Sequence, residues 1–321
     1  MKILKRIILI LIMIGIAAVC GTDAKKLPPV GDTPALSATE PSAPTAPPAE
    51  DTRPPETTPV TEPEPDTVSI LDFLRIAVMP AGQTMYVWGG GWNEADTGAG
   101  MEAVTLGLSP RWAEFAGAQD SSYNYKNTRY QIHDGLDCSG YVGWAIYNVM
   151  EAENSRPGYV YPSTKMAESL ADRGLGTYIP AADVTQWLPG DIMSMKGHVW
   201  IAVGMCDDGS VLLLHASPPG VIFSGTTLPD GSGSQATRLA QRIMGERYPD
   251  WYSRYPHCAR SHSYLIGSSA MRWSPDVLSD TEGLRNMTAE EVVNLIFETE
   301  APRPLSGRGA LRGKGGHCVF R

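Results

Sequence analysis

The stretch that decides the fold is GLDCSGYVGWAIYNVM, which runs from Gly135 to Met150. Apolar residues recur at helical spacing after its Asp-Cys-Ser-Gly segment, which predicts an amphipathic helix that begins near Cys138. The first turn of a helix presents unpaired backbone N–H groups and a partial positive charge, and both favour the nucleophilic thiolate over the thiol. Taken alone, Cys138 favours the simpler interpretation of a buried structural cysteine, so the rest of the chain has to decide.

The first 20 of the 321 residues are typical of an export signal. Three basic residues among the first six precede an apolar run that ends at Val19, before Cys20. The run is shorter than the roughly 20 residues that span a bilayer as a helix, so residues 1–20 are predicted to be a secretory signal. Its end resembles a bacterial lipobox, although Ala17 and Val19 depart from the commonest pattern. Two outcomes stay open, namely lipidation of Cys20 or ordinary cleavage and release.

Residues 21–66 differ in composition from the rest of the chain. They hold 12 of the 26 prolines, with nine acidic and three basic residues. Such chain is extended and buries no core, which predicts a disordered tether. The Gly- and Arg-rich tail, 301–321, is expected to be disordered too.

Net charge and cysteine spacing argue against several classes of function. The total net charge is −9. The first six residues carry +3, residues 21–66 carry −6 and residues 301–321 carry +5, so residues 67–300 carry −11. An acidic body argues against nucleic acid as the partner. The five cysteines show no CxxC spacing, which argues against a zinc ribbon or a thioredoxin-type site. Cys206 is expected to be buried in a strand, and pairing of Cys258 with Cys318 stays open.

Hydrophobic spacing and turn signals predict an α+β architecture. The predicted helices are 67–78, a short one from 110, the cysteine helix, 165–174, 235–247 and 289–297. The predicted strands are 191–195, 198–204, 211–216 and 221–224 in an antiparallel meander, with closing strands at 263–266 and 268–273. We expect the cysteine helix to pack on this sheet within one domain of residues 67–275. A C-terminal helix and the basic tail would occupy 276–321, and residues 93–134 would form an excursion over the site.

Two histidines give the cysteine its expected partners. A cysteine hydrolase needs a nucleophile, a base and a group that orients the base. His198 opens one predicted strand and His215 lies on the next, so a short hairpin can put the two imidazoles side by side. Each histidine alone is more often a packed, hydrogen-bonded residue. A metal held by both with Cys138 is a further alternative, but no clear additional ligand supports it.

The motifs MYVWGGG, GLDCSGYV, LPGDIMSMKGHVWIAVG and LLLHAS follow one another in this chain. In order and local residues they resemble the NlpC-type cell-wall cysteine peptidases, over about residues 67–273. The resemblance implies a papain-like core without a metal or cofactor. It also implies hydrolysis of peptidoglycan stem peptides, commonly between γ-D-Glu and the adjoining diamino acid. The gap between the first two motifs is longer than is usual in the family, which leaves the exact substrate open.

The resemblance also assigns roles to individual residues. Cys138 would be the nucleophile, His198 the general base and later the acid, and His215 the orienting group. Tyr86 resembles the tyrosine that lies near the nucleophile and helps to bind substrate or to stabilise the oxyanion.

Asp137 and Ser139 match family positions that line the subsite beside the cysteine. A carboxylate there suits the cationic amine of a stem peptide. For Asp137, capping of the helix explains the residue equally well.

The sequence therefore predicts an exported, monomeric cysteine endopeptidase of peptidoglycan that works through an acyl-enzyme and is either lipid-anchored at Cys20 or released. Its partners would be stem peptides and, through Cys20, a membrane, and its location extracytoplasmic, at the membrane or in the cell wall. The alternatives are a papain-like amidase or acyl transferase, and a non-catalytic lipoprotein that binds wall peptides.

Overall fold

Nine β-strands and eight α-helices form within residues 68–298, the part of the chain that this computed structural model describes. The export signal with Cys20, the linker, the basic tail and Cys318 lie outside the described residues. The helices are α1 (Ile70–Val78), α2 (Pro110–Gly117), α3 (Cys138–Met150), α4 (Met166–Asp172), α5 (Gln235–Arg247), α6 (Pro249–Arg254), α7 (Ser263–Ile266) and α8 (Ala289–Phe297). The strands are β1 (Met85–Tyr86), β2 (Gly135–Leu136), β3 (Gly176–Ile179), β4 (Ile192–Met195), β5 (His198–Met205), β6 (Val211–Ser217), β7 (Gly220–Thr226), β8 (Ala259–Arg260) and β9 (Ser269–Trp273).

The strands form one mixed but mostly antiparallel sheet. Its order is β2-β1-β7-β6-β5-β4-β9-β3, and β8 lies beside β7. The consecutive strands β4 to β7 pair antiparallel, which confirms the predicted meander. Only the β1–β2 and β7–β8 pairs among the described strands are parallel. The predicted α+β class is therefore confirmed.

Local sequence signals explain where several helices begin. Ser69, Ser234 and Thr288 each accept a hydrogen bond from a backbone N–H three residues later, and the side chain of that residue accepts one in return. Such reciprocal caps satisfy two orphan donors at once. The predicted helices that begin at α1, α5 and α8 are confirmed, and Ser69 is the cap of α1.

Alternate residues of β5 face two separate cores. Val199, Ile201 and Val203 pack into the large core that also contains α3. Trp200 and Ala202 pack into a smaller cluster with Leu213, Leu265 and Tyr264. Because side chains alternate along a strand, His198 lies on the same face as Trp200. The smaller cluster thus lies on the same face of the sheet as the histidines.

One predicted strand is wrong. Residues 263–266 form α7, a single helical turn, instead of a closing strand. A strand would point Tyr264 and Leu265 to opposite faces, whereas the helical turn lets both pack against the smaller cluster. Strands β1, β2, β3 and β8 and helix α6 are short, and none of them was predicted.

The C-terminal helix belongs to the same packed body as the rest. Helix α8 contributes Val292 and Ile296 to the large core, and Arg75 on α1 donates to the Leu295 carbonyl at 2.9 Å. Residues beyond 275 are therefore part of the large core and do not form a separate C-terminal extension. Cys206, expected to be buried within a strand, is half-buried just after β5. None of the helices within residues 68–298 has the length and apolar character needed to cross a membrane.

Candidate active site

Three glycines let two chain segments meet closely at the start of α3. The carbonyl of Gly90 accepts the Asp137 N–H at 2.9 Å. A Cβ on Gly140 would lie 2.0 Å from the Gly90 oxygen, and one on Gly90 would lie 2.3 Å from the Gly135 oxygen. Such distances exclude any side chain, so glycine is required for this close approach. The MYVWGGG and GLDCSG motifs therefore form one unit that positions Cys138.

Asp137 caps the cysteine helix. Its Oδ1 accepts the Gly140 N–H at 2.8 Å and the Ser139 hydroxyl at 2.9 Å, and the nearby N–H of Gly89 also lowers the pKa of the carboxyl. Trp92 Nε1 donates to Ser139 Oγ at 2.9 Å. The capping interpretation of Asp137 is what the structure shows. Substrate binding by Asp137 and Ser139 stays a prediction, because the hydroxyl and the carboxylate are both engaged within the protein.

Cys138 lies at the first position of α3, and its residue is only 7% exposed. The backbone N–H of Val199 lies close enough to its sulfur to lower the pKa of the thiol. That N–H belongs to the His198–Val199 peptide, so the thiol lies directly beside the strand residue that carries the candidate base. The structure thus brings Cys138 and the start of β5 together, as the sequence predicted.

Burial, with a smaller contribution from the Asp137 carboxylate, raises the pKa of the Cys138 thiol to about 12. The backbone N–H groups of Val199, Ser139 and Cys138 lower it, in the direction expected for a helix N-terminus. Desolvation outweighs them, so burial opposes the preference for thiolate that the helix start provides. The resting cysteine is a protonated thiol that needs a base.

His198 and His215 are hydrogen-bonded neighbours on β5 and β6. His198 Nε2 lies 2.8 Å from His215 Nδ1, and the rings meet edge to face with centroids 5.0 Å apart. The predicted side-by-side arrangement is confirmed. Because Nε2 of His198 is engaged, Nδ1 is its remaining nitrogen for proton transfer.

Ser224 on β7 extends this chain of hydrogen bonds. His215 Nε2 lies 3.1 Å from Ser224 Oγ, and both residues are completely buried. We assign the tautomers so that each ring donates from Nε2, His198 to His215 and His215 to Ser224. This leaves a lone pair on His198 Nδ1, the state that a general base needs. Ser224 was not predicted. A signal for it exists in the strand register, because Ile222 lies opposite His215 and Ser224 is two residues further along β7, on the same face.

The two histidines are neutral in the resting protein. Burial, together with the smaller effect of the positive charge of Arg260, lowers the pKa of His198 to about 3. Burial and the same arginine also place the pKa of His215 well below its usual value. The resting pair is therefore a neutral thiol beside a neutral imidazole, so charge separation has to accompany the attack.

Tyr86 is held between β2 and β7 and is 7% exposed. Burial raises its pKa above the usual range, and the nearby Cys138 and Asp137 raise it further. Its hydroxyl therefore remains a proton donor. The 93–134 segment packs on this residue, because Tyr123 donates to the Tyr86 carbonyl at 2.7 Å and the Tyr125 ring lies 5.4 Å from the Tyr86 ring. The excursion thus contacts a predicted site residue.

Tyr264 on α7 completes the aromatic surroundings of the histidines. Its ring centroid lies 5.5 Å from that of His198 and 6.4 Å from that of His215. Cys138 is close enough to raise the Tyr264 pKa, after the larger effect of burial. The sequence carried no signal for this role, since residues 263–266 were predicted to be a strand.

Within residues 68–298, no group of three or more histidine, cysteine or acidic side chains is arranged to hold a metal ion. No protein-family model, curated protein or solved structure matches this chain.

Proposed function

We propose that the protein is an exported cysteine endopeptidase of bacterial peptidoglycan with a papain-like core. It would hydrolyse the bond between γ-D-Glu and the diamino acid of stem peptides through an acyl-enzyme. The observation that carries the proposal is a thiol at a helix N-terminus, next to the peptide bond of His198, whose ring is oriented by a 2.8 Å contact with His215.

In the first step, Nδ1 of His198 removes the thiol proton while the sulfur attacks the carbonyl carbon. The imidazolium that forms keeps its Nε2–H pointed at the lone pair of His215 Nδ1, so the new charge meets an acceptor. A neutral starting pair requires that proton transfer and carbon–sulfur bond formation proceed together.

The tetrahedral oxyanion would meet two donors. One is the Cys138 N–H at the start of α3, where the helix dipole is positive. The other is the Tyr86 hydroxyl, whose raised pKa keeps it protonated. His198 then gives its proton to the leaving amine, the carbon–nitrogen bond breaks and a thioester remains. A water molecule, deprotonated by His198, hydrolyses the thioester and restores the thiol.

The test is a digest of purified wall fragments by the full protein, by Cys138→Ala and by Cys206→Ala. Cys206 follows the far end of β5, roughly 25 Å along the strand from His198, which makes it a matched control. New stem-peptide fragments should appear with the wild type and with Cys206→Ala only. Equal product profiles with Cys138→Ala, measured by mass spectrometry, would sink the proposal.

The same digest separates the alternatives. An amidase would free the amine at the sugar–peptide junction, and an acyl transferase would join fragments instead of adding water. A non-catalytic binding protein would yield no products, and a thiol-reactive probe would then label Cys138 no faster than in denatured protein.

The proposed location is the outer side of a membrane, through Cys20, and it is motivated by the signal and lipobox-like sequence. Cell fractionation tests it, since the Cys20→Ala protein should leave the membrane fraction. Retention of that variant in the membrane would contradict lipid anchoring.

A further inference from the structure

Arg260 on β8 is a partly buried cation without an anionic partner in the described part of the chain. None of the six ion pairs within residues 68–298 includes it. Its Nη1 donates to the carbonyl of its neighbour Ala259 at 2.9 Å, and its Nε is buried without an acceptor. A guanidinium has five N–H donors, so Arg260 keeps donors that an acidic ligand could engage.

Such an arrangement is costly, because a desolvated charge needs a partner. Arg272 on β9, the other arginine on a described strand, shows a common solution, since it donates to the buried carboxylate of Asp191 at 2.7 Å. An unsatisfied buried polar group in a folded protein calls for an explanation such as an anion that binds there.

The surroundings of Arg260 connect it to the candidate active site. Its charge depresses the pKa of both His198 and His215. It also lies near Tyr264, whose ring packs edge to face on His198 with centroids 5.5 Å apart. In register, Arg260 is paired with Thr226 on the strand that carries Ser224. Arg260 therefore lies within electrostatic range of His198, His215 and Tyr264, and its strand is next to the strand of Ser224.

We propose that Arg260 is a carboxylate-binding residue of the site, which holds an acidic group of the substrate beside the His198–His215 pair. The proposal rests on the proposed function for the choice of ligand. Stem peptides carry carboxylates on either side of the proposed scissile bond, on the γ-linked D-Glu and on the diamino acid. A planar guanidinium pairs with a carboxylate through two parallel hydrogen bonds.

Binding of a carboxylate would also serve the chemistry. The guanidinium charge opposes protonation of His198, and an anion paired with it removes that opposition. The base would then accept the thiol proton more readily when the correct substrate is bound. Recognition and activation would thus be linked through one residue.

The experiment uses three synthetic stem peptides, namely the parent, one amidated at the D-Glu α-carboxylate and one amidated at the free carboxylate of the diamino acid. The value of kcat/KM is measured for the full protein, Arg260→Gln, Arg260→Lys and the control Arg238→Gln. Arg238 is an exposed residue of α5. Thermal unfolding reports whether each variant is folded.

In the wild type, one of the two amidations should lower kcat/KM about tenfold to hundredfold, as expected for a charge-assisted pair. Which amidation does so identifies the side of the bond that Arg260 contacts. The ratio of parent to amide should fall to about one in Arg260→Gln, stay intermediate in Arg260→Lys and keep its wild-type value in Arg238→Gln. A wild type indifferent to both amidations, or a ratio that persists in Arg260→Gln, overturns the proposal. If Arg260→Gln is not folded, the ratio in Arg260→Lys decides.

Calorimetric binding of the same peptides to Cys138→Ala separates this proposal from the proposed function. Cleavage without any carboxylate preference would leave the endopeptidase standing and remove the role of Arg260. Carboxylate-dependent binding that Arg260→Gln abolishes, without cleavage by the wild type, would do the reverse.

Discussion

Asp137 shows how one buried residue serves both the fold and the reactivity of the thiol. It caps α3, and this position leaves its carboxylate almost fully buried next to Cys138. Burial raises its pKa from 3.8 to about 6, although the hydrogen-bond donors of Gly140, Ser139 and Gly89 oppose the shift. The folded state therefore binds this proton more tightly than the unfolded state. The stability that results is complete below pH 3.8 and is lost as the pH rises through 6.

The variant Asp137→Asn keeps a capping oxygen but cannot ionise. Its free energy of unfolding, relative to the wild type, should therefore rise between pH 4 and pH 7 by about 3 kcal/mol at most. Removal of the charge should also lower the Cys138 pKa and speed alkylation of Cys138 at pH 8. Denaturant titrations and peptide-level mass spectrometry measure the two effects. Asp276→Asn, at an exposed position, is the control, and a pH-independent difference for Asp137→Asn would refute the prediction.

Ser224 acts at the same scale, through the two rings between it and the thiol. Without its hydroxyl, His215 has no acceptor for Nε2–H and loses the preference for the tautomer that accepts from His198. Ser224→Ala should lower kcat about tenfold with little change in KM, the usual size of an orienting effect in acid–base catalysis. The pH profile of kcat should shift as well, and Ser224→Thr should restore much of the rate. An unchanged pH profile would mean that the serine only fills space.

At the scale of elements, the close contact between the loop that follows β1 and the start of α3 depends on glycines. Gly140→Ala places a Cβ 2.0 Å from the Gly90 oxygen, so the loop or the helix has to move. We expect a loss of about 1–3 kcal/mol or more in the free energy of unfolding, and slower alkylation or cleavage because Cys138 moves with the helix. Gly117→Ala in α2 is the matched control, since no atom lies within 4 Å of its Cβ. That variant should gain about 0.4–1 kcal/mol, and equal effects of the two changes would contradict the packing argument.

The long elements could be predicted because their signals are local. The helix α5 carries its cap and apolar stripe within 14 residues, and β4 to β7 are separated by Gly- and Pro-containing turns. Helix α7 could not be predicted, because four residues are too few to show a hydrophobic period. The tertiary packing of Tyr264 and Leu265 decides their conformation. The same limit applies to Arg260 and Tyr264, whose roles arise only when β8 and α7 are placed beside the histidines.

The Cys138, His198 and His215 set is an intermediate case. The sequence indicated the hairpin that joins the two strands, and the 2.8 Å contact between the rings followed from it. The protonation states did not follow, because burial is a property of the folded molecule. Helix position alone favours thiolate, and only the packed structure reveals the opposing desolvation.

At the scale of the whole molecule, the site depends on a core that extends to the end of the described chain. Helix α8 packs against α1 and β5, and its Ala289 lies against Gly204 on the strand that His198 opens. Phe297 meets Phe223 of β7 with ring centroids 6.2 Å apart. The residues after 275 therefore support the strands that carry the candidate base and its partners.

Truncation of a buried α8 side chain should consequently weaken the entire molecule and not a separate appendage. Ile296→Ala removes a residue that is 6% exposed in the large core, and we expect a loss of about 2–4 kcal/mol in the free energy of unfolding. Asn294→Ala, on the exposed side of the same helix, should change it by less than about 0.5 kcal/mol. Tryptophan fluorescence and circular dichroism should show coincident transitions for both variants, because one core unfolds as one unit. A separate early transition in Ile296→Ala, with the remaining structure as stable as in the wild type, would show instead that α8 unfolds independently of the sheet that holds His198.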